Sequence, residues 1–230
     1  MPEAKIAIID NAINREIYKP VDHWSAFLTD ADWTSFRAPD GILPDPDDFS
    51  HFIFTGSEAS ILERAAWVDA EVELARAAYE RGKCLLGSCY GHQLLAFALA
   101  GPAHVARSPE PEIGWIPVDI LADSPLLGPL RKAFTFSVHF DEVKNLPGSS
   151  FIILAASDKC SIQAFRSRDG RVWGFQIHPE IQEPEARRLL ADFKDVFPAF
   201  RDLYEKALAS PARDSRLARQ IVDGFLKLSV

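Results

Sequence analysis

The sequence predicts an α/β fold with a mixed, mainly parallel sheet covered by helices, and three observations predict it. Short, nearly continuous apolar runs recur at residues 5–10, 51–55 and 83–87, as expected of strands buried on both faces. Segments of helical spacing alternate with them: Val68, Val72, Ala75 and Tyr79, and then residues 92–100. From about Ile113 the pattern changes to strand-like runs at 115–120, 134–138, 151–155, 162–165 and 172–177, separated by Pro, Gly and Asp turns. No helix of any length divides most of these, so part of the pairing there is expected to be antiparallel.

The punctuation between elements supports this division. The run 51–55 ends in Gly56-Ser57, and Ser60 with Glu63 reads as a capping box opening the helix that carries Val68 to Tyr79. Gly82 is placed to end that helix, and Gly101-Pro102 to end the next. From Glu183 onward the pattern is helical, broken near Pro198 and Pro211, with Leu217, Ile221, Phe225 and Leu228 on one face. There is no internal repeat, low-complexity tract or linker. Residues 1–230 are therefore expected to form one domain, with 183–230 as a helical extension packed on it.

Composition narrows the function classes. At 47% hydrophobic and 25% charged residues, the chain has the balance of an ordinary globular protein. A net charge of −8 with no Lys/Arg run argues against nucleic acid or an anionic membrane as partner. The start, Met1-Pro2-Glu3-Ala4-Lys5, lacks a basic region and a cleavage site, so no leader is expected, and no stretch nears the ~20 apolar residues that span a bilayer. Three cysteines without a C-x-x-C suit a reduced, cytoplasmic setting.

One cysteine stands apart. Cys89 lies where an apolar strand run meets a helix, in Gly87-Ser-Cys-Tyr-Gly91. A nucleophile held above a sheet on a sharp strand-to-helix turn needs small neighbours. The helix N-terminus there favours the thiolate, and the backbone N–H of Tyr90 is placed as an oxyanion donor. A free cysteine is ordinarily a small buried hydrophobe, and Cys84, inside its apolar run, fits that description. Cys160, in Ser157-Asp-Lys-Cys160, has no feature that promotes it.

A thiolate nucleophile needs an oriented base. Of six histidines, His178 follows the run 172–177 and precedes Pro179-Glu180. Residues two apart in an extended segment face one side, so His178 and Glu180 can enter a site together at the strand's end. The carboxylate then holds the imidazole tautomer. Pro179 is compatible with a strand terminus, where no N–H is needed.

These segments resemble the class I glutamine amidotransferase family. Gly87-Ser-Cys-Tyr-Gly-His-Gln93 is similar to its nucleophile motif, and Gly174-Phe-Gln-Ile-His-Pro-Glu180 to its His-Pro-Glu motif. Thr55-Gly-Ser-Glu-Ala-Ser60 resembles its glycine turn, Glu112-Ile-Gly114 its E-x-G element, and Ser137-Val-His-Phe-Asp-Glu-Val143 its S-H-x-D-x-V segment. The main motifs occur in the family's order, and the subgroup they most resemble is the stand-alone proteins similar to the amidotransferase domain of GMP synthase. The resemblance implies a three-layer, flavodoxin-like α/β fold with helices on both faces of the sheet. It implies Cys89 as nucleophile, His178 as acid/base and Glu180 as its orienting partner, with oxyanion donors at Gly56 and Tyr90. It also implies substrate contacts from Gln93 and from the backbone of Val138, His139 and Phe140, while His139 and Asp141 themselves either touch substrate or shape that loop. Glu58 stands where many relatives have proline, and either recognises a substrate amino group or faces solvent.

The implied activity is hydrolysis of the γ-amide of glutamine through a cysteine thioester, releasing ammonia for a separate synthetase subunit. Two alternatives stay open: a free-standing hydrolase of γ-glutamyl peptides or amides, and a non-catalytic binding or regulatory module. No metal or organic cofactor is expected, because neither a zinc-like cluster nor a P-loop is found in the sequence.

Overall fold

The computed structural model describes residues 4–129 and 131–229. Residues 1–3, where no leader is expected, lie outside the described residues, as do Leu130 and Val230. The elements in order are β1 (Lys5–Asp10), α1 (Pro20–Ser25), β2 (Asp32–Arg37), β3 (His51–Phe54), α2 (Val68–Glu80), β4 (Cys84–Ser88) and α3 (Tyr90–Ala100). There follow β5 (Val105–Ile120), β6 (Lys132–Val143), β7 (Phe151–Ala156), β8 (Ala164–Ser167), β9 (Val172–Phe175), α4 (Glu183–Val196), α5 (Arg201–Ala209) and α6 (Leu217–Phe225).

The nine strands form one sheet in the order β2-β1-β3-β4-β9-β8-β7-β5-β6. Pairings from β2 through β9 on the first side are parallel. Those from β9 through β6 are antiparallel, as the shortage of helices after Ile113 requires. Consecutive residues of β1 go to opposite faces and are both buried, which is why the run is apolar without alternation. Ala7 and Ile9 pack with Phe52, Phe54, Leu85 and the inner sides of α2 and α3. Ile6 and Ile8 pack with Ile53, Leu86, Trp24 and the Leu217, Ile221, Phe225 stripe of α6. Each fully buried Ile, Leu or Phe side chain contributes about 1.5–3 kcal/mol by leaving water. A third cluster joins α4 and α5 to Phe136 of β6 and to Tyr18. No helix among the described residues is long and apolar enough to cross a membrane.

Three local expectations change. Ser60 caps a short 3₁₀ turn, Ile61–Glu63, by accepting from the N–H of Leu62, rather than α2. Arg64 is left-handed (φ 51°) and ends that turn, so α2 starts afresh at Val68. β5 begins at Val105, ten residues before the apolar run at 115–120, because Pro109 and Pro111 are accommodated at a register shift between Arg107 and Glu112 where β5 pairs with β6 alone. The solvent-facing edge strand β2 and the six-residue α1 are additions to the expected elements, since neither carries an apolar periodicity.

Candidate active site

The carboxyl ends of β3, β4 and β9 lie side by side, the position where an open α/β sheet binds ligands. β4 runs straight into Cys89, whose backbone is held at φ 48°, ψ −104°. That conformation costs a non-glycine residue about 1–3 kcal/mol, and it persists because its surroundings fix it. The Cys89 N–H donates to the Phe175 carbonyl (2.8 Å), and its carbonyl accepts from the Gln93 N–H (3.1 Å), committing the chain to α3. The Gly91 N–H donates to the Thr55 carbonyl (3.1 Å) at the end of β3. A Cβ on Gly91 would collide with the Phe54 carbonyl, and one on Gly87 with the backbone of Gly91. Both glycines are therefore required by close approach.

Beyond β9 the chain turns at once: the strand stops at Phe175, and residues 178–180 lie in a turn. His178 and Glu180 meet through that turn rather than by strand alternation. The His178 N–H donates to the Phe136 carbonyl (2.9 Å), and the ring Nδ1 lies 2.8 Å from Glu180 Oε1. The same carboxylate oxygen accepts from the Ser88 hydroxyl (3.3 Å). Burial pulls the His178 pKa down, but the charges of Glu180 and Cys89 and hydrogen bonds to both outweigh it and carry it up to about 10. With Nδ1 turned to the carboxylate, Nε2 is left for Cys89. Burial pushes the Cys84 thiol up to about 11 and the Cys160 thiol up to about 12, so neither offers a thiolate near neutral pH.

A cleft with about 650 Å³ of space, counting that open to solvent, lies over Cys89 and His178. One wall is polar (Glu58, Ser60, Gln93, Arg107, Asp141), and the other is apolar (Val138, Phe140, Ile181, Leu189, Phe193, Phe197). Tyr90 opens α3, so its N–H belongs to the first turn, which has no carbonyl partner within the helix. Gly56 stands against His178 from the β3 side. Gln93 donates its side-chain N–H groups to the Asp141 carbonyl (2.9 Å) and to Gln176 Oε1 (3.2 Å), tying α3 to β6. The Val138 carbonyl lies 3.4 Å from Cys89 Sγ, and the Phe140 ring meets Phe200 at 4.5 Å with the rings tilted by 45°.

Glu58 lines the cleft, yet its two oxygens accept the backbone N–H groups of Ile13 (2.9 Å) and Asn14 (3.1 Å). Burial raises its pKa despite those bonds. The carboxylate therefore clamps the loop after β1. The His139 ring is engaged on both nitrogens, by the Asp141 carbonyl and by Glu112 Oε2, each at 3.0 Å. Asp141 in turn accepts from Ser60 (2.5 Å) and Arg107 (3.0 Å).

Several residues join the site without any signal in the sequence: Tyr18 and Arg107 in the cleft wall, and Glu71, which accepts from the Tyr90 hydroxyl (3.1 Å). A lone Tyr, Arg or Glu far from the motifs has nothing local to mark it. Glu112, His139 and Cys160 bring potential metal-ligand atoms within 4.8 Å of one another. Glu112 also accepts from Gln163 (2.5 Å) and Ser157 (2.8 Å). That donor set is occupied by protein hydrogen bonds, and the Cys160 thiol stays protonated.

Residues 45–196 match the family model described as glutamine amidotransferase class-I. The chain belongs to the class I glutamine amidotransferase family. Among curated relatives, it is 32% identical over 152 residues to a glutamine-hydrolyzing GMP synthase subunit from Sulfolobus acidocaldarius, covering 64% of this chain and 76% of that one. It is 36% identical over 135 residues to the glutamine-hydrolyzing GMP synthase of Caldicellulosiruptor saccharolyticus, covering 58% of this chain and 25% of that one. The chain thus spans about a quarter of the length of the GMP synthases it matches. The fold is shared with the crystal structure of a glutamine amidotransferase from Thermotoga maritima, at TM-score 0.79 and 20% identity over 99% of this chain and 100% of that one. One from Methylobacillus flagellatus gives TM-score 0.78 at 23% identity, covering 98% and 95%.

Proposed function

We propose that this amidotransferase hydrolyses the γ-amide of glutamine through a thioester on Cys89 and releases ammonia for a separate acceptor enzyme. The observation that carries the reading is the strained, glycine-flanked Cys89 set against a histidine whose protonated form Glu180 stabilises. When His178 takes the Cys89 proton, the pair becomes a thiolate beside an imidazolium. The thiolate attacks the γ-carbonyl carbon, and the N–H groups of Gly56 and Tyr90 receive the oxyanion, each worth roughly 3–4 kcal/mol in such sites. As the tetrahedral intermediate collapses, the C–N bond breaks and His178 gives its proton to the departing ammonia. Water then enters, His178 takes a proton from it, and the hydroxide opens the thioester to release glutamate and restore the thiolate.

Names of relatives support glutamine as substrate and a synthetase as partner, since the matched proteins are glutamine-hydrolyzing GMP synthases or single subunits of them. Three unpaired cysteines fit a reduced, cytoplasmic setting. We take residues 1–230 as one unit, because α4, α5 and α6 pack on the sheet and on the cleft rather than apart from it.

A second reading, hydrolysis of γ-glutamyl amides with a larger amine, draws on the apolar wall. Ile181, Leu189, Phe193 and Phe197 face the cleft, and ammonia needs no such surface. The non-catalytic alternative has no feature in its favour here. Glutamate release from glutamine and from γ-glutamyl dipeptides with aromatic second residues separates the two active readings, with Cys89→Ala and Cys84→Ala as a pair. We expect Cys84→Ala to keep activity and Cys89→Ala to lose it, and limited iodoacetamide at neutral pH to label Cys89. Full activity in Cys89→Ala would end the nucleophile assignment.

A further inference from the structure

Tyr18 precedes α1 in the chain, but its ring is carried into the wall of the cleft, with 3% of its surface exposed. Its hydroxyl has no hydrogen-bond partner among the described residues. A buried hydroxyl in that state has given up water and gained nothing, which calls for an explanation. The location supplies one. A Cβ placed on Gly56 would stand 2.5 Å from the Tyr18 hydroxyl and 2.8 Å from His178 Cε1. The hydroxyl and the His178 ring therefore pack directly on the Gly56 backbone, where only glycine fits, in the lining of the cleft that also holds Cys89. The Tyr18 and His178 rings meet edge to face at 6.1 Å. Burial first, and then the negative charges of Glu180, Cys89, Glu58 and Asp10, raise the Tyr18 pKa well above 10, so the phenol remains a neutral O–H donor.

We propose that the Tyr18 hydroxyl is a third donor to the oxyanion of the tetrahedral intermediate, beside the N–H groups of Gly56 and Tyr90. It is unpartnered in the resting protein because its acceptor is an oxygen that exists only during the reaction. A donor satisfied only then stabilises the transition state over bound substrate, so its loss lowers kcat rather than raising KM. The inference rests on Cys89 as nucleophile, as proposed above.

The test is Tyr18→Phe, which removes one oxygen and leaves the ring packing intact. The fold should tolerate it, with a melting temperature equal to or above that of the wild type, because the lost hydroxyl makes no bond in the resting protein. Glutamine hydrolysis is expected to fall roughly 10- to 100-fold in kcat, with KM within about twofold. Single-turnover thioester formation should slow by the same factor. Three results overturn the proposal: a kcat within twofold of wild type, a rise in KM at constant kcat, or a loss of activity that tracks a lower melting temperature. A wild type that turns over no γ-glutamyl compound fails the underlying reading instead, whereas an active wild type with an equally active Tyr18→Phe fails Tyr18 alone.

Discussion

Replacing Glu180 by Gln changes a charge while keeping the shape of the most deeply buried of Cys89, His178 and Glu180. In the wild type the His178 pKa rises from 6.5 to about 10, against a burial penalty, and Glu180 is the larger of the two charges that raise it. At 1.36 kcal/mol per unit, that rise represents about 5 kcal/mol favouring the imidazolium. Its neutral isostere should therefore lower that pKa and leave a weaker base to activate the water that opens the thioester, with kcat at neutral pH falling roughly 10- to 100-fold. An amide also presents a donor as readily as an acceptor to Nδ1, which frees the wrong tautomer and deepens the loss. The sign in pH follows. His178 donates to the leaving ammonia only while protonated, so wild-type kcat should hold until pH approaches 10 and fall above it. In Glu180→Gln that alkaline limb should move to lower pH. The assay is glutamate release over pH 6–11 at saturating glutamine, with circular dichroism to establish folding. A folded variant with kcat within threefold of wild type and an unmoved limb would refute the assignment of Glu180 as the group that charges His178.

Two further outcomes follow from the buried Glu71 and the half-buried Glu58. Burial pushes the Glu71 pKa up to about 8, against the hydrogen bond from Tyr90. The folded state then holds a proton that the unfolded state releases above about pH 4.5, so this group's contribution to stability falls as pH rises from there to about 8. Glu71→Gln should accordingly raise stability by up to about 3 kcal/mol at pH 7 and by little at pH 5, read from urea titrations at both values. Glu58→Ala removes the acceptor for two backbone N–H groups and should destabilise the protein by about 2 kcal/mol, with hydrogen exchange quickening at Ile13 and Asn14. If Glu58→Gln instead raises KM at unchanged stability, the carboxylate serves the substrate's amino group rather than the loop.

The turn at Cys89 was legible in the sequence because its constraints are local. A buried strand, a sharp turn and a helix start place demands on residues 87 to 91 that only small neighbours meet, and Gly87 and Gly91 show them. The His-Pro-Glu segment was legible for the same reason, although the pair is aligned by a turn and not by the strand. The β1, β3 and β4 strands announced themselves by apolar runs, which is what burial on two faces demands. β2 and the first ten residues of β5 escaped notice, since an exposed edge and a bulged hairpin need no such pattern.

What only the tertiary structure decided is which distant residues share the cleft. Strand order carries Tyr18, Gly56 and His178 to one point, and nothing in the spacing of positions 18, 56 and 178 encodes that meeting. Likewise Glu58 presents a carboxylate in the motif but reaches its partners, Ile13 and Asn14, only because β1 and β3 are neighbours. His139 lies in the motif segment, yet its ring is held by Glu112 across the β5–β6 pairing. Local sequence sets backbone geometry over a few residues, so it determined the candidate chemistry at Cys89, His178 and Glu180. The shape of the cleft, the apolar wall from α4 and the idle hydroxyl of Tyr18 depend on packing between elements far apart in the chain.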